Sequence, residues 1–143
     1  VRAMPREIKF RAWNKIDKCM CPVHGYDFET QILWYGNTRR NNILGEPPKN
    51  FELMQYTGLH DKNGNEIYEG DIVKCTELTN DRLTEYISEV FWEQGSLLVH
   101  ESASCDVEFC LFFEGIDKRP LTEIEVIGNI YENPELLISE RMV

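Results

Sequence analysis

FELMQYTGLHDKNGNEIYEGDIVK, residues Phe51 to Lys74, is the stretch that decides the fold class. A short apolar strand leads into Thr57-Gly58-Leu59, and a turn follows at Asp61-Lys62-Asn63-Gly64-Asn65. Asn63-Gly64 is a tight-turn signal because both residues tolerate positive φ. Ile67-Tyr68 then precedes a second turn, Glu69-Gly70-Asp71, which launches the strand Ile72-Val73-Lys74. Asp61, Asn63 and Asn65 imitate the first ligands of a calcium loop. Glu66 stands where that loop needs Gly, and Ile72 where it needs a bidentate Glu, so the segment reads as a plain turn. Nothing in it carries recognisable catalytic chemistry.

Working outward, the same pattern recurs. Residues 7–13 alternate, with Ile8, Phe10 and Ala12 on one face and Lys9 and Arg11 on the other, as a half-buried strand does. Asn14 to Lys18 reads as a hairpin connection, Cys19 to Val23 as the return strand closed by Pro22, and Gln31 to Tyr35 as another strand. Gly36 to Asn50, rich in Gly, Asn, Pro and Arg, reads as a long mobile loop. Tyr86 to Trp92 and Leu97 to His100 flank a short Gly-bearing loop. Asp106 to Phe113 and Glu125 to Tyr131 are the last strands. Asn133-Pro134 is an N-cap followed by proline at the first helical position, starting a short helix over about 134–141. Many short strands and almost no helix predict an all-β barrel or sandwich. Ile8, Phe10, Leu53, Ile67, Ile72, Val90, Phe109 and Ile127 are the expected interior.

Composition narrows the class. The 143 residues predict a single domain over 1–143 with a β core over about 6–132. No apolar run is long enough for a membrane helix. No signal-peptide core opens the chain, so a cytoplasmic protein is expected, with Met4 as its natural start. Five cysteines, an odd number, argue against a disulfide framework and for reduced thiols. Cys19-x-Cys21 with His24 is too tight for the usual zinc knuckle, so no metal and no cofactor is expected. The net charge is −10. Residues 1–50 hold nine basic and five acidic residues, whereas residues 51–143 hold six basic and twenty acidic ones. An acidic surface repels phosphate and disfavours bulk nucleic-acid binding.

Four blocks carry a family resemblance: Arg6-Glu7-Ile8-Lys9-Phe10-Arg11-Ala12-Trp13, Met54-Gln55-Tyr56-Thr57-Gly58-Leu59-His60-Asp61, Ile67-Tyr68-Glu69-Gly70-Asp71-Ile72-Val73, and Ile124-Glu125-Val126-Ile127-Gly128-Asn129-Ile130-Tyr131-Glu132-Asn133-Pro134. In order and spacing they resemble the YopX family of small bacteriophage and prophage proteins. The resemblance implies a mainly β fold on an SH3-like barrel, or a related small β-barrel with extra hairpins and a short C-terminal helix. It also implies expression inside a bacterial host. It supplies no activity and no ligand residues. Residues 15–50 and 75–117 match none of its motifs.

Function is therefore argued from residue chemistry. His24, His60 and His100 are far apart in sequence, and no nucleophile, phosphate-loop or zinc motif is present, so no catalytic residue is assigned and no enzyme is expected. The expected role is a phage accessory protein that binds a host or phage protein. Trp13, Tyr56 and Tyr68, at strand ends beside turns, are the candidate partner groove. One alternative is an acidic decoy of a nucleic-acid-binding protein, built on the carboxylates of residues 51–143. Another is weak nucleic-acid binding through Lys9 and Arg11 in the basic N-terminal cluster. Homo-oligomerisation through edge strands or the helix is a further possibility.

Overall fold

A computed structural model describes residues 7–37, 42–79, 81–93, 95–102, 105–108 and 123–141. The described residues are mainly β with one short α-helix, and the chain divides into two compact units, residues 1–58 and 59–143.

The first unit holds β1 (Phe10–Asn14), β2 (Cys19–Tyr26), β3 (Leu33–Asn37), β4 (Asn42–Glu46), a 3-10 turn (Pro48–Asn50) and most of β5 (Phe51–His60). All pairings are antiparallel, in the spatial order β4-β3-β2-β1-β5. Asn14 ends β1 and locks the first hairpin. Its Oδ1 accepts the N–H groups of Ile16 and Asp17 at 2.9 and 3.0 Å, and its Nδ2 donates to the Tyr35 hydroxyl at 3.2 Å. Asp27 does the same for the second hairpin, accepting from the N–H groups of Glu29 and Thr30. Those N–H donors, with the Thr30 hydroxyl, hold its carboxyl below the usual value. One face of the sheet packs Ala12, Cys21, Leu33, Tyr35 and Phe51 into a core, bordered by Val23, Tyr26, Leu44 and Leu53.

The second unit begins at the end of β5. Asp61 organises the turn that follows. Its Oδ1 accepts from the N–H groups of Asn63 and Asn65 at 2.9 and 2.8 Å, and its Oδ2 accepts from Val126 N–H at 3.0 Å and Asn65 Nδ2 at 3.3 Å. Then come β6 (Glu66–Tyr68), β7 (Asp71–Thr79), β8 (Arg82–Glu89), β9 (Phe91–Glu93), β10 (Ser96–Ser102), β11 (Cys105–Glu108), β12 (Glu123–Asn129) and α1 (Glu135–Arg141). β7 is central in a sheet of order β12-β7-β8, and β11-β10-β9 form another. The Glu69-Gly70-Asp71 corner joins several elements at once. Gly70 sits at φ 83°, which a residue without Cβ adopts freely. Its N–H donates to Val90 O, its C=O accepts from Ile130 N–H, and Val90 N–H returns to Asp71 O. The buried Asp71 carboxylate accepts Tyr68 N–H at 2.8 Å. Ile67, Val73, Cys75, Tyr86, Val90, Val99 and Ile124 form the core, and α1 packs against β8.

Three expectations change. The described residues form several sheets and no closed barrel, so mainly β holds and SH3-like closure does not follow from them. The stretch 36–50 is not one loop, since it contains β4 and the 3-10 turn. Its glycines lie in strands where large cross-strand neighbours occupy the space a Cβ would take. Of the expected interior, Ile67, Ile72 and Val90 are fully buried. Phe10, Leu53 and Ile127 are half-buried, Ile8 precedes β1 and is 74% exposed, and Phe109 lies outside the described residues. The predicted C-terminal helix forms over Glu135–Arg141. The Asn133 side chain does not cap it forward: Oδ1 turns back to accept Asn129 N–H at 3.3 Å. No helix among the described residues is long and apolar enough to cross a membrane.

Two consequences are measurable by urea denaturation. Asp71→Ala leaves the buried Tyr68 N–H without its carboxylate acceptor and lowers stability by about 2 kcal/mol or more. Burial alone would raise the Asp61 pKa, but the N–H donors of Val126, Asn65 and Asn63, with the Asn65 side-chain amide, outweigh it, so the folded carboxyl lies below its ordinary value. The stability this adds is complete above the unfolded value, about pH 4. It is lost as pH falls through the depressed folded value. Asp61→Asn turns an NH2 group toward one pair of donors and costs about 1–3 kcal/mol at neutral pH. The gap between wild type and variant narrows below about pH 4.

Candidate functional site

The outward face of the β2–β3–β4 sheet is one feature that core packing does not explain. Period two sends Leu33 and Tyr35 into the core and Trp34 and Gly36 outward. In the antiparallel register, Gly25 and Gly45 flank Trp34 on either side, and Ile43 pairs with Gly36. The Trp34 ring lies across Gly45, where an added Cβ would meet Cζ3 at 2.8 Å and Cη2 at 3.0 Å; one added at Gly25 would meet Trp34 Cδ1 at 3.7 Å. The His24 imidazole lies over Gly36 in the same way, with Nε2 2.6 Å from an added Cβ. A bulge between Val23 and Gly25 places His24 there. The result is a low platform of Trp34, His24 and Ile43 over three glycines. Trp34 is 44% exposed and Ile43 62% exposed. A large aromatic and a β-branched residue side by side in water is the kind of apolar exposure that marks an interaction surface.

The residues singled out from sequence are placed differently. Tyr56 is 2% and Tyr68 9% exposed, so neither can line a groove. Tyr56 lies under the Lys9 ammonium, which is 5.5 Å from the ring centroid. The Tyr68 hydroxyl donates to Glu66 at 2.9 Å, and its N–H is held by Asp71. Trp13 is half-buried in β1, paired with Met20 and Glu52. Of the basic pair, Lys9 is tied to Glu7 at 3.2 Å besides its place over Tyr56, and Arg11 is half-buried between Pro22 and Met54. The acidic half is also partly committed. Asp61, Asp71 and Glu77 are buried, with Glu77 accepting the Tyr86 hydroxyl at 3.1 Å. Glu123 and Glu125 pair with Lys62, and Glu125 with Lys74. Cys19 and Cys21 lie on the core side of β2, opposite His24, and no group of three metal-ligating side chains occurs among the described residues. Sequence reasoning placed Trp34 in a strand and gave it no role. The signal that finds it is the alternation Trp34-x-Gly36 facing Ile43-x-Gly45, a large side chain set against glycine across a strand pair.

The YopX protein family profile matches residues 9–138. The chain belongs to the YopX family. Among solved structures it is similar to the YopX protein of Bacillus subtilis, with 19% identity, a TM-score of 0.60, and coverage of 90% of this chain and 95% of that one. It is also similar to protein EF1440 of Enterococcus faecalis, with 25% identity, a TM-score of 0.54, and coverage of 93% and 99%. No curated protein matches it. The YopX blocks fall on Asp61, Gly70, Asp71, Gly128 and Asn129, which hold turns and strand ends, and not on the Trp34 platform.

Substituting Gly45→Ala tests the platform geometry. The new methyl group displaces the outer edge of the indole, while stability changes by less than about 1 kcal/mol because a side chain, not backbone, gives way. A moved Trp34 indole N–H resonance with a nearly unchanged denaturation midpoint is the expected result.

Proposed function

We propose that this YopX-family protein is a non-catalytic binding module of a phage or prophage, working in the bacterial cytoplasm, and that it docks a host or phage protein on the Trp34–Ile43 platform. The observation that supports this reading is the exposed Trp34 ring, which occupies the space over Gly45, with the exposed Ile43 two residues before Gly45 on the same strand. Such a ring is held in place before binding, so a partner that covers it loses little extra side-chain freedom and gains a large apolar contact. The paired strands β2, β3 and β4 supply the base. An SH3-like closure of the sheets, which the family resemblance implies, is not required, because one sheet face suffices. The site moves from Trp13, Tyr56 and Tyr68 to Trp34, Ile43 and His24, because burial removes the two tyrosines. Phosphate mimicry is the weaker alternative, since several of the carboxylates it needs are buried or paired.

Affinity capture from nuclease-treated host lysate, across a salt series, tests this directly. Wild type should retain one saturable protein that persists at high salt. Trp34→Ala should lower its affinity by about 30-fold or more, the size of a hot-spot loss, with an unchanged melting curve. Equal capture by wild type and variant would move the site elsewhere. Capture of a basic protein lost steeply with salt would favour the acidic decoy.

A further inference from the structure

We propose that Cys19 and Cys21 are a redox-active dithiol: an exposed attacking thiol and a buried resolving thiol that close to a reversible disulfide by exchange with a small-molecule disulfide. The two Sγ atoms are 3.5 Å apart. They converge because residues i and i+2 of a strand share a face, and both lie on the core side of β2, opposite Asn14 and Ala12. The pair is asymmetric in access. Cys19 is exposed at the mouth of the β1–β2 hairpin, and Cys21 is buried against Ala12, Leu33 and Tyr35. The turn before them is fixed by Asn14 and by Lys18 at φ 50°, so the mouth of the hairpin is held.

The protonation states support the order of attack. Burial, the contact with Cys19 and the nearby Asp17 carboxylate push the Cys21 thiol up to about 12. Cys21 is therefore protonated while Cys19 is free. Capping Cys19 removes its hydrogen bond to Cys21, one of the contributions to this shift, while burial, the largest, remains. In the first step Cys19 gives its proton to water, and its thiolate attacks one sulfur of the small disulfide. One thiolate leaves with the electron pair and takes up a proton. In the second step Cys21 loses its proton to water and attacks Cys19 Sγ, expelling the second small thiol. Two protein thiols are oxidised and one small disulfide is reduced to two thiols.

The strand geometry makes the closed form reversible. Residues i and i+2 of an extended strand are about 6.4–6.8 Å apart, at the upper end of the Cα separations disulfides accept. Closure bends β2 and stores strain, so the bond reopens readily with excess thiol. Cys75 does not compete: it is fully buried, and burial and the Glu77 carboxylate, against a partial offset from Tyr86, push its thiol up to about 12.

The full chain treated with oxidised glutathione, then alkylated and mapped by mass spectrometry, tests the assignment. Wild type should lose two hydrogens within the peptide that holds Cys19 and Cys21, with full recovery in dithiothreitol. Cys21→Ser should accumulate a glutathione adduct on Cys19. Cys19→Ser, at an exposed position, should slow reaction at Cys21 by at least about tenfold. If Cys21→Ser fails to fold, wild-type mapping decides alone. A stable glutathione adduct on wild-type Cys19, a cross-link from this pair to another cysteine, or no reaction at Cys19 would each overturn the proposal.

Discussion

The second unit depends on one corner, Glu69-Gly70-Asp71. A chain leaving β6 must reverse within three residues and enter β7, the central strand of its sheet. Gly70 makes the reversal sterically free at φ 83°. The corner also leaves backbone groups that cannot reach water and must be paired. Val90 and Ile130 supply the partners, so the β8–β9 junction and the end of β12 are tied to the same three residues. Asp71 closes the set from below through Tyr68 N–H. Asp61 repeats the device at the preceding turn, tying it to β12 through Val126. Asp61 exchanges hydration for several N–H donors and Asp71 for that of Tyr68, an arrangement that stabilises only if the donors are in place. This explains why the acidic residues of this segment are structural although they resemble ligands.

Such local devices are legible in sequence. Asn63-Gly64 and Gly70-Asp71 announce turns because positive φ and short polar side chains are requirements of single residues. Asn133-Pro134 announces a helix for the same reason. What sequence does not carry is which strands become neighbours. Tyr56 and Tyr68 look suitable for a groove because they flank turns, yet tertiary packing buries both. Gly36 and Gly45 look like loop residues until β3 pairs with β4 and each glycine meets a ring. Ile8 continues an alternating pattern that the strand itself does not, and it stays in water.

The family resemblance divides in the same way. The blocks that carry the resemblance include hydrogen-bonded turns and strand ends. Gly128 is a clear instance, since an added Cβ would lie 2.5 Å from the Asn133 side-chain Oδ1 that also accepts Asn129 N–H. Asn129 in turn accepts from the N–H groups of Tyr131 and Glu132, shaping the approach to α1. Residues of this kind answer to the stability of a backbone path, so a chain can match the family throughout and disclose nothing about its partner.

The features with chemical character lie between those blocks, in residues 15–50. Strand alternation separates them. On β3, Tyr35 faces the core and Trp34 faces water. On β2, Cys21 faces the core and His24 faces water. One pair of hairpins thus carries a dithiol toward its packed side and an aromatic platform on its open side, two strands sharing both. β2 pairs with β3 from Val23 onward, with a bulge before Gly25, which pairs with Trp34. A period-two strand separates the two chemistries in direction while both draw on the same backbone.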